Sequence, residues 1–161
     1  VGRAPTWADW ELHLTSVFPE VRVKKQIEVR MADCVPLDLV GSFVALFEGL
    51  FYCPISLDAA QAIARRFERF GTRQERFLTA CRHGLDGTIG GHRLAAWAEE
   101  VVAAAQDGLS RCRPQDAPLL DPLARLAGAG HTPASLLLDA LARTEDPDAI
   151  RHLTHPLVSR G

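Results

Sequence analysis

Lys24-Lys25-Gln26-Ile27-Glu28-Val29-Arg30-Met31, followed at once by Ala32-Asp33, is the stretch that decides the fold. With a period of two it sends Lys24, Gln26, Glu28 and Arg30 to one face and Lys25, Ile27, Val29 and Met31 to the other, the alternation of a strand lying on a core. Val21 and Val23 continue the apolar face, and Glu20 and Arg22 the polar one, so the strand can begin earlier. Glu28 and Arg30 then present a carboxylate and a guanidinium side by side on a rigid backbone. Two uses compete for such a pair. A solvent-facing ion-pair ladder on a sheet is common and contributes little. Alternatively, a carboxylate can hold Mg²⁺ while an arginine grips phosphate oxygens with its planar fork of donors, a combination suited to phosphoryl chemistry.

Outward from that stretch the pattern is helical. Thr6 and Asp9 form a capping box for a helix over residues 7–16, with Trp10, Leu14 and Val17 on one side. The most apolar helix follows Pro36, over residues 37–52. There Val40, Phe43, Val44, Phe47, Leu50 and Phe51 recur at helical spacing, which predicts a buried spine packed behind the strand. Ser56 is a candidate cap for a helix over residues 57–70, with Ala60, Ile63, Ala64 and Phe67 inward and Arg65, Arg66 and Arg69 outward. Thr72 and Glu75 cap another to His83, and Gly84 stops it. Asp86-Gly87-Thr88-Ile89-Gly90-Gly91 lacks the phosphate-loop pattern and reads as an ordinary connection.

A long amphipathic helix spans residues 92–112, with Leu94, Trp97, Ala98, Val101, Ala105 and Leu109 on its stripe. Pro114 to Pro118 breaks it. Short helices over residues 119–127, 133–143 and 147–154 complete the chain, the second opened by Thr132 before Pro133. His152 and His155 could share a metal, but Pro156 beside them and the lack of an acidic partner favour surface histidines. The fold class is α+β and mostly helical, with one strand and about seven helices.

Composition narrows the function. The chain has 161 residues, 47% hydrophobic and 24% charged, with a formal net charge of -2: one domain's worth of ordinary globular sequence, with no basic, aromatic-laced surface for nucleic acid. The run over residues 37–52 is interrupted by Asp38, Ser42 and Glu48 and is shorter than the roughly 20 apolar residues a membrane span needs. With no signal peptide visible, the expectation is a soluble cytoplasmic protein with neither nucleic-acid nor membrane partner. Cys34, Cys53, Cys81 and Cys112 form no C-x-x-C pair and read as mostly buried, reduced thiols.

The run Asp9-Trp10-Glu11-Leu12-His13-Leu14-Thr15-Ser16-Val17-Phe18-Pro19-Glu20-Val21-Arg22, leading into Ile27-Glu28-Val29-Arg30-Met31-Ala32-Asp33, resembles the carboxy-terminal part of the plant and bacterial glutamate–cysteine ligases. These are carboxylate–amine ligases similar in active-site fold to glutamine synthetase. In them the segment reads D-W-x-x-H-L-T-T-x-F-P-E-V-R and then E-x-R-x-x-D. Fainter similarity continues through Gly84-Leu85, Ala98-Glu99-Glu100-Val101, Ala105-Gln106-Asp107-Gly108-Leu109 and Gly130-His131-Thr132-Pro133-Ala134.

The resemblance implies one strand of a glutamine-synthetase-like antiparallel catalytic sheet (residues 1–33, helix and active-site strand) with a helical layer outside it (residues 34–161). It implies ATP and Mg²⁺ as cofactors and glutamate and cysteine as substrates, joined through an acyl phosphate. Glu28 would be a ligand to nucleotide-bound Mg²⁺. Arg30 would stabilise the transferred phosphoryl group and bind the cofactor, Arg22 would join it there if the strand is continuous from Val21, and His13 and Asp33 match the motif in supporting roles.

A lone strand leaves its backbone groups unpaired, so the strand is expected to pair with an amino-terminal portion or a second chain, which would also bring the remaining metal-binding acids. After Asp33, where the plant relatives carry Gly-Gly-Pro-Trp, this chain has Cys34-Val35-Pro36-Leu37, a departure that bears on the acceptor amine. The competing readings are a noncatalytic module that kept the fold and a helical interaction domain with Glu28 and Arg30 as a surface pair.

Overall fold

The computed structural model describes residues 3–16, 20–23, 25–32 and 35–143. The chain divides into two compact units, Val1–Val35 and Pro36–Gly161. It is α+β and mostly helical, with seven α-helices and two small antiparallel ribbons among the described residues.

In the first unit, α1 (Trp7–Ser16) starts as its sequence dictates. The Thr6 backbone N–H donates to Asp9 Oδ2 at 2.7 Å, and the Asp9 N–H donates back to Thr6 Oγ1 at 3.3 Å, which satisfies two of the amides a helix start leaves open. The Thr6 hydroxyl, which also donates to Asp9 Oδ2 at 2.7 Å, holds the Asp9 carboxyl below its ordinary range, together with the Thr6 amide and Arg3. None of the residues of α1 is buried, and Trp10 and Leu14 stand half exposed.

The continuous strand predicted through residues 24–31 does not form. The chain reverses between β1 (Val21–Val23) and β2 (Ile27–Val29), which pair antiparallel with Val21 opposite Val29, Arg22 opposite Glu28 and Val23 opposite Ile27. One further bond, from the Arg30 N–H to the Glu20 carbonyl at 2.8 Å, extends the ladder. Hence β2 is not a lone strand: one of its edges is paired within the chain, as backbone satisfaction requires. Among the described residues no third strand joins the ribbon, and Val23, Ile27 and Met31 on or beside it are exposed.

The second unit is built on α2 (Leu37–Phe51), α3 (Pro54–Phe67), α4 (Arg73–His83), α5 (Leu94–Cys112), α6 (Asp121–Gly128) and α7 (Pro133–Leu141). Helix α2 does not turn its bulkiest stripe inward. It buries Leu39, Ser42, Ala45, Gly49 and Leu50, while Val40, Val44 and Phe51 are 42%, 58% and 46% exposed. The reason is close approach: a Cβ at Gly49 would stand 2.3 Å from the Ala105 carbonyl oxygen, and one at Gly108 would stand 2.1 Å from the Gly49 oxygen. Small residues on both helices let the backbones of α2 and α5 touch, and the large side chains are displaced to the flank. There Phe43, Phe47 and Phe51 pack along the helix at centroid distances of 5.0 and 5.5 Å.

Leu50, Val102, Ala105, Leu109, Leu120 and Ala127 form the main core with Ala45. Leu109 and Leu120 are fully buried, each contributing roughly 1.5–3 kcal/mol of burial free energy. A second cluster joins Ile63, Ile89, Leu94 and Trp97, with Phe67 edge-on to Trp97 at 5.2 Å.

Local rules decide most helix ends. Thr72 and Glu75 make the predicted reciprocal cap of α4, Gly84 ends it at φ 52°, and Thr132 caps α7 with Ser135. Ser56 is not a cap. Helix α3 begins earlier, at Pro54 in the first turn, and the buried Ser56 hydroxyl donates to the Gly49 and Cys53 carbonyls at 2.5 and 3.0 Å.

The connection read through residues 86–91 contains a second ribbon, β3 (Thr88–Ile89) and β4 (His92–Arg93), turned by Gly90 and Gly91 at φ 61° and 80°. Two positive φ values are what a two-residue hairpin turn demands. Of the cysteines, only Cys53 is buried among those described; Cys81 and Cys112 are exposed, contrary to the expectation of mostly buried thiols. The helix over residues 147–154, with His152 and His155, lies outside the described residues, as do Cys34 and Asp33. Among the described residues no single helix is long and apolar enough to cross a membrane.

Candidate active site

Antiparallel pairing sets Arg22 directly across the β1–β2 ribbon from Glu28, and directly opposed residues lie on the same face. Arg22 Nε and Nη2 both donate to Glu28 Oε2, at 2.8 and 2.6 Å. Arg30, two residues beyond Glu28 and so on that face too, brings its Nε to 3.6 Å from Oε1. One carboxylate therefore sits between two guanidinium groups, and the three side chains of Arg22, Glu28 and Arg30 are 24%, 39% and 21% exposed. Arg22 reaches the cluster from its own strand across a turn, not along a continuous strand.

The three side chains together carry two guanidinium groups and one carboxylate on a partly shielded face. They suit an oxyanion with two or more oxygens, because each guanidinium offers parallel donors. The carboxylate supplies hard oxygen donors of the kind Mg²⁺ takes, though Mg²⁺ needs near-octahedral oxygen coordination that one residue cannot complete. Among the described residues no three His, Cys, Asp or Glu side chains converge into a metal-binding group. Glu28 is suited to be one oxygen-donating ligand and is not sufficient by itself.

Of the remaining motif residues, His13 lies on α1 with its ring 5.7 Å from that of Trp10. In the second unit a shallow cleft of about 320 Å³ is lined by Arg66, Arg69, Phe70, His92, Trp97 and Glu100. Arg66 there is already paired with Glu100 and laid over the Trp97 ring at 5.2 Å. Sequence pattern placed Arg66 simply outward; its contact with Trp97 depends on the α3–α5 packing, which no local signal announces.

Fold and cluster together define a helical α+β protein with an acid–guanidinium group on a short antiparallel ribbon. Residues 2–156 match the family model described as glutamate–cysteine ligase family 2, and the chain belongs to that family. It is 35% identical over 141 residues to a chloroplastic glutamate–cysteine ligase of Medicago truncatula and 35% identical to that of Arabidopsis thaliana, in each case across 86% of this chain. A chloroplastic glutamate–cysteine ligase of Nicotiana tabacum is 32% identical over the same length. The alignments cover 27% of the Medicago and 26% of the Arabidopsis protein, so the chain spans about a quarter of the length of the curated relatives it matches.

The names of these relatives overturn the cytoplasmic expectation, since they are chloroplastic. Compartment is set by targeting segments, which the composition of a folded stretch does not report.

Proposed function

We propose that this chain is the part of an ATP-dependent ligase that joins the γ-carboxylate of glutamate to the amine of cysteine. The observation that carries the reading is the carboxylate of Glu28 held between Arg22 and Arg30, in a chain of the glutamate–cysteine ligase family. In the reaction a γ-carboxylate oxygen attacks the terminal phosphorus of ATP, ADP leaves, and the amine of cysteine displaces phosphate from the acyl carbon. Mg²⁺, when bound, neutralises charge on the phosphate oxygens.

Arg30 stabilises the charge that spreads over the transferred phosphoryl group, a role worth most in the transition state. Arg22 orients Glu28 in the arrangement described and would supply donors to nucleotide phosphates. Glu28 would hold Mg²⁺ through a carboxylate oxygen. Completion of the metal shell requires acids from an amino-terminal portion or second chain, and that portion would also extend the β1–β2 ribbon, since two-stranded ribbons are marginal alone. The chain by itself is then inactive.

The test combines this chain with the amino-terminal portion of a family enzyme and follows ADP release with glutamate and cysteine present. Activity that requires both pieces, falls about 10²–10³-fold in Glu28→Gln, and falls similarly in Arg30→Lys because lysine lacks the bidentate fork supports the reading. Wild-type turnover in either variant refutes that residue's role. A second reading, a noncatalytic binding or regulatory module that retains the ligase fold, draws on the two Arg22 hydrogen bonds already made to Glu28 Oε2; it predicts no ADP release in any combination.

A further inference from the structure

We propose that the cleft lined by the end of α3, the β3–β4 hairpin and α5 binds a small organic anion, a phosphate or carboxylate carried on a flat apolar body. Its volume of about 320 Å³ is that of a small-metabolite site. The floor is aromatic and fixed. Trp97 is 9% exposed, and its indole N–H donates to the Ile89 carbonyl at 3.4 Å, which ties the ring to the hairpin. Gly90 at the hairpin turn lies so close to Phe70 that a Cβ there would fall 2.4 Å from the ring. The same hairpin carries the exposed His92, opposite Ile89 in the ribbon, with its ring perpendicular to that of Trp97 at 5.9 Å.

Donors surround that floor. Arg66 lies over the Trp97 ring, and its Nη2 donates to Glu100. A guanidinium has five N–H donors, so this pair leaves others of Arg66 for a ligand at its edge. Arg69 follows three residues later, fixed by the bond from its backbone N–H to the Arg66 carbonyl at 3.2 Å, and lines the same cleft. Among the described residues the Arg69 side chain has neither an ion-pair nor a hydrogen-bond partner. It has no capping duty either. Arg76 Nη1 already donates to the Phe70 and Gly71 carbonyls, at 3.3 and 2.6 Å, and so offsets the negative end of α3 that would otherwise repel an anion.

Two guanidinium groups and an imidazole thus face one carboxylate around a shallow apolar floor. Arginine forks suit an anion with two or more oxygens, an imidazole adds an N–H donor in either charge state, and Phe70 with Ala96 offers the apolar contact. The ligand's anion takes the place of Glu100 on Arg66. That exchange costs little, because an exposed ion pair contributes little. The cleft lies within the second unit and uses none of Arg22, Glu28 and Arg30, so the inference is independent of the ligase reading.

The test is a fluorescence titration of the Trp7→Phe/Trp10→Phe variant, in which Trp97 is the remaining tryptophan and α1, with no buried residue, is altered only at its surface. At least one of phenyl phosphate and phenylacetate should change the Trp97 emission saturably, and the tighter of the two is the anion the site takes. The bare anion, inorganic phosphate or acetate, and the neutral body, benzyl alcohol, should each bind at least about tenfold more weakly than that probe. Arg69→Ala should weaken the probe about tenfold, the loss of one charge-assisted contact, while Arg65→Ala, outside the cleft, leaves it unchanged. Glu100→Gln should tighten binding about two- to fivefold by freeing Arg66, and Glu99→Gln, the same change of charge outside the lining, should not. No saturable change with either probe, equal affinity for the bare anion, or wild-type affinity in Arg69→Ala overturns the proposal. Equal tightening in Glu99→Gln and Glu100→Gln overturns it too, since only unspecific charge would then be at work.

Discussion

Replacing Gly108 by alanine puts the contact between α2 and α5 to a direct test. The added Cβ would lie 2.1 Å from the Gly49 oxygen, 2.4 Å from Ser56 Oγ and 2.9 Å from Ser56 Cβ. All three are atoms of a neighbouring backbone or of a side chain fixed by hydrogen bonds, so relief requires α2 to move away from α5. Alanine gains about 1 kcal/mol of intrinsic helix propensity over glycine. Against that stand roughly 1–3 kcal/mol of overpacking and about 1 kcal/mol for the bond from Ser56 to the Gly49 carbonyl. The net expectation is a loss of about 1–3 kcal/mol, or about 5–10 °C in melting temperature. Gly41→Ala is the control: its Cβ meets only Leu119 Cδ2, at 3.8 Å, so propensity dominates and the variant should be unchanged or stabilised by up to about 1 kcal/mol. Thermal and urea unfolding of the two variants, followed by circular dichroism, gives the comparison. A Gly108→Ala protein that melts at or above the wild type would refute the backbone contact.

Trp97→Ala should cost about 3–5 kcal/mol, because Trp97 is only 9% exposed and carries the rings of Phe67 and Phe70 as well as the Arg66 guanidinium; urea unfolding measures it. The Glu75 carboxyl is held below its ordinary value of 4.5 by the Thr72 amide and hydroxyl. Its contribution to the start of α4 is therefore complete above that value and lost as pH falls through the lower folded one. Protection factors of the amides in the first turn of α4, taken relative to the intrinsic exchange rate at each pH, should fall with acid in the wild type and show less pH dependence in Glu75→Gln, which keeps the cap without the charge.

The alternation around Glu28 was readable even though the continuous strand was not. Three residues separate Val23 from Ile27, and an odd connection keeps the period-two parity when a strand folds back on itself. Arg22 and Glu28 therefore share a face either way, and the grouping of Arg22, Glu28 and Arg30 follows from the sequence. What alternation cannot report is the reversal between Val23 and Ile27, where the sequence has no glycine or proline to mark a turn.

The caps Thr6, Thr72 and Thr132 were equally legible, because a capping box is a local transaction between residues three apart. The inward face of α2 was not. Hydrophobic periodicity favours Val40, Val44 and Phe51, whereas the packing is decided by Gly49 meeting Ala105 and Gly108 and by Ser42 reaching the Leu119 carbonyl, all from far along the chain. Gly90-Gly91 did carry a hairpin signal, because two adjacent glycines supply the two positive φ values of a two-residue turn.

The ribbon's role is tested most directly by counting metal ions. In the enzyme assembled from this chain and an amino-terminal portion, Mn²⁺ replaces Mg²⁺ and its binding is titrated by electron paramagnetic resonance with ATP present. Ligation by Glu28 predicts that Glu28→Gln loses one tightly bound ion, or binds it at least about tenfold more weakly, while Thr72→Ala leaves the count unchanged. Equal stoichiometry and affinity in Glu28→Gln and wild type would contradict it and leave Glu28 as an ion-pair partner of Arg22 and Arg30.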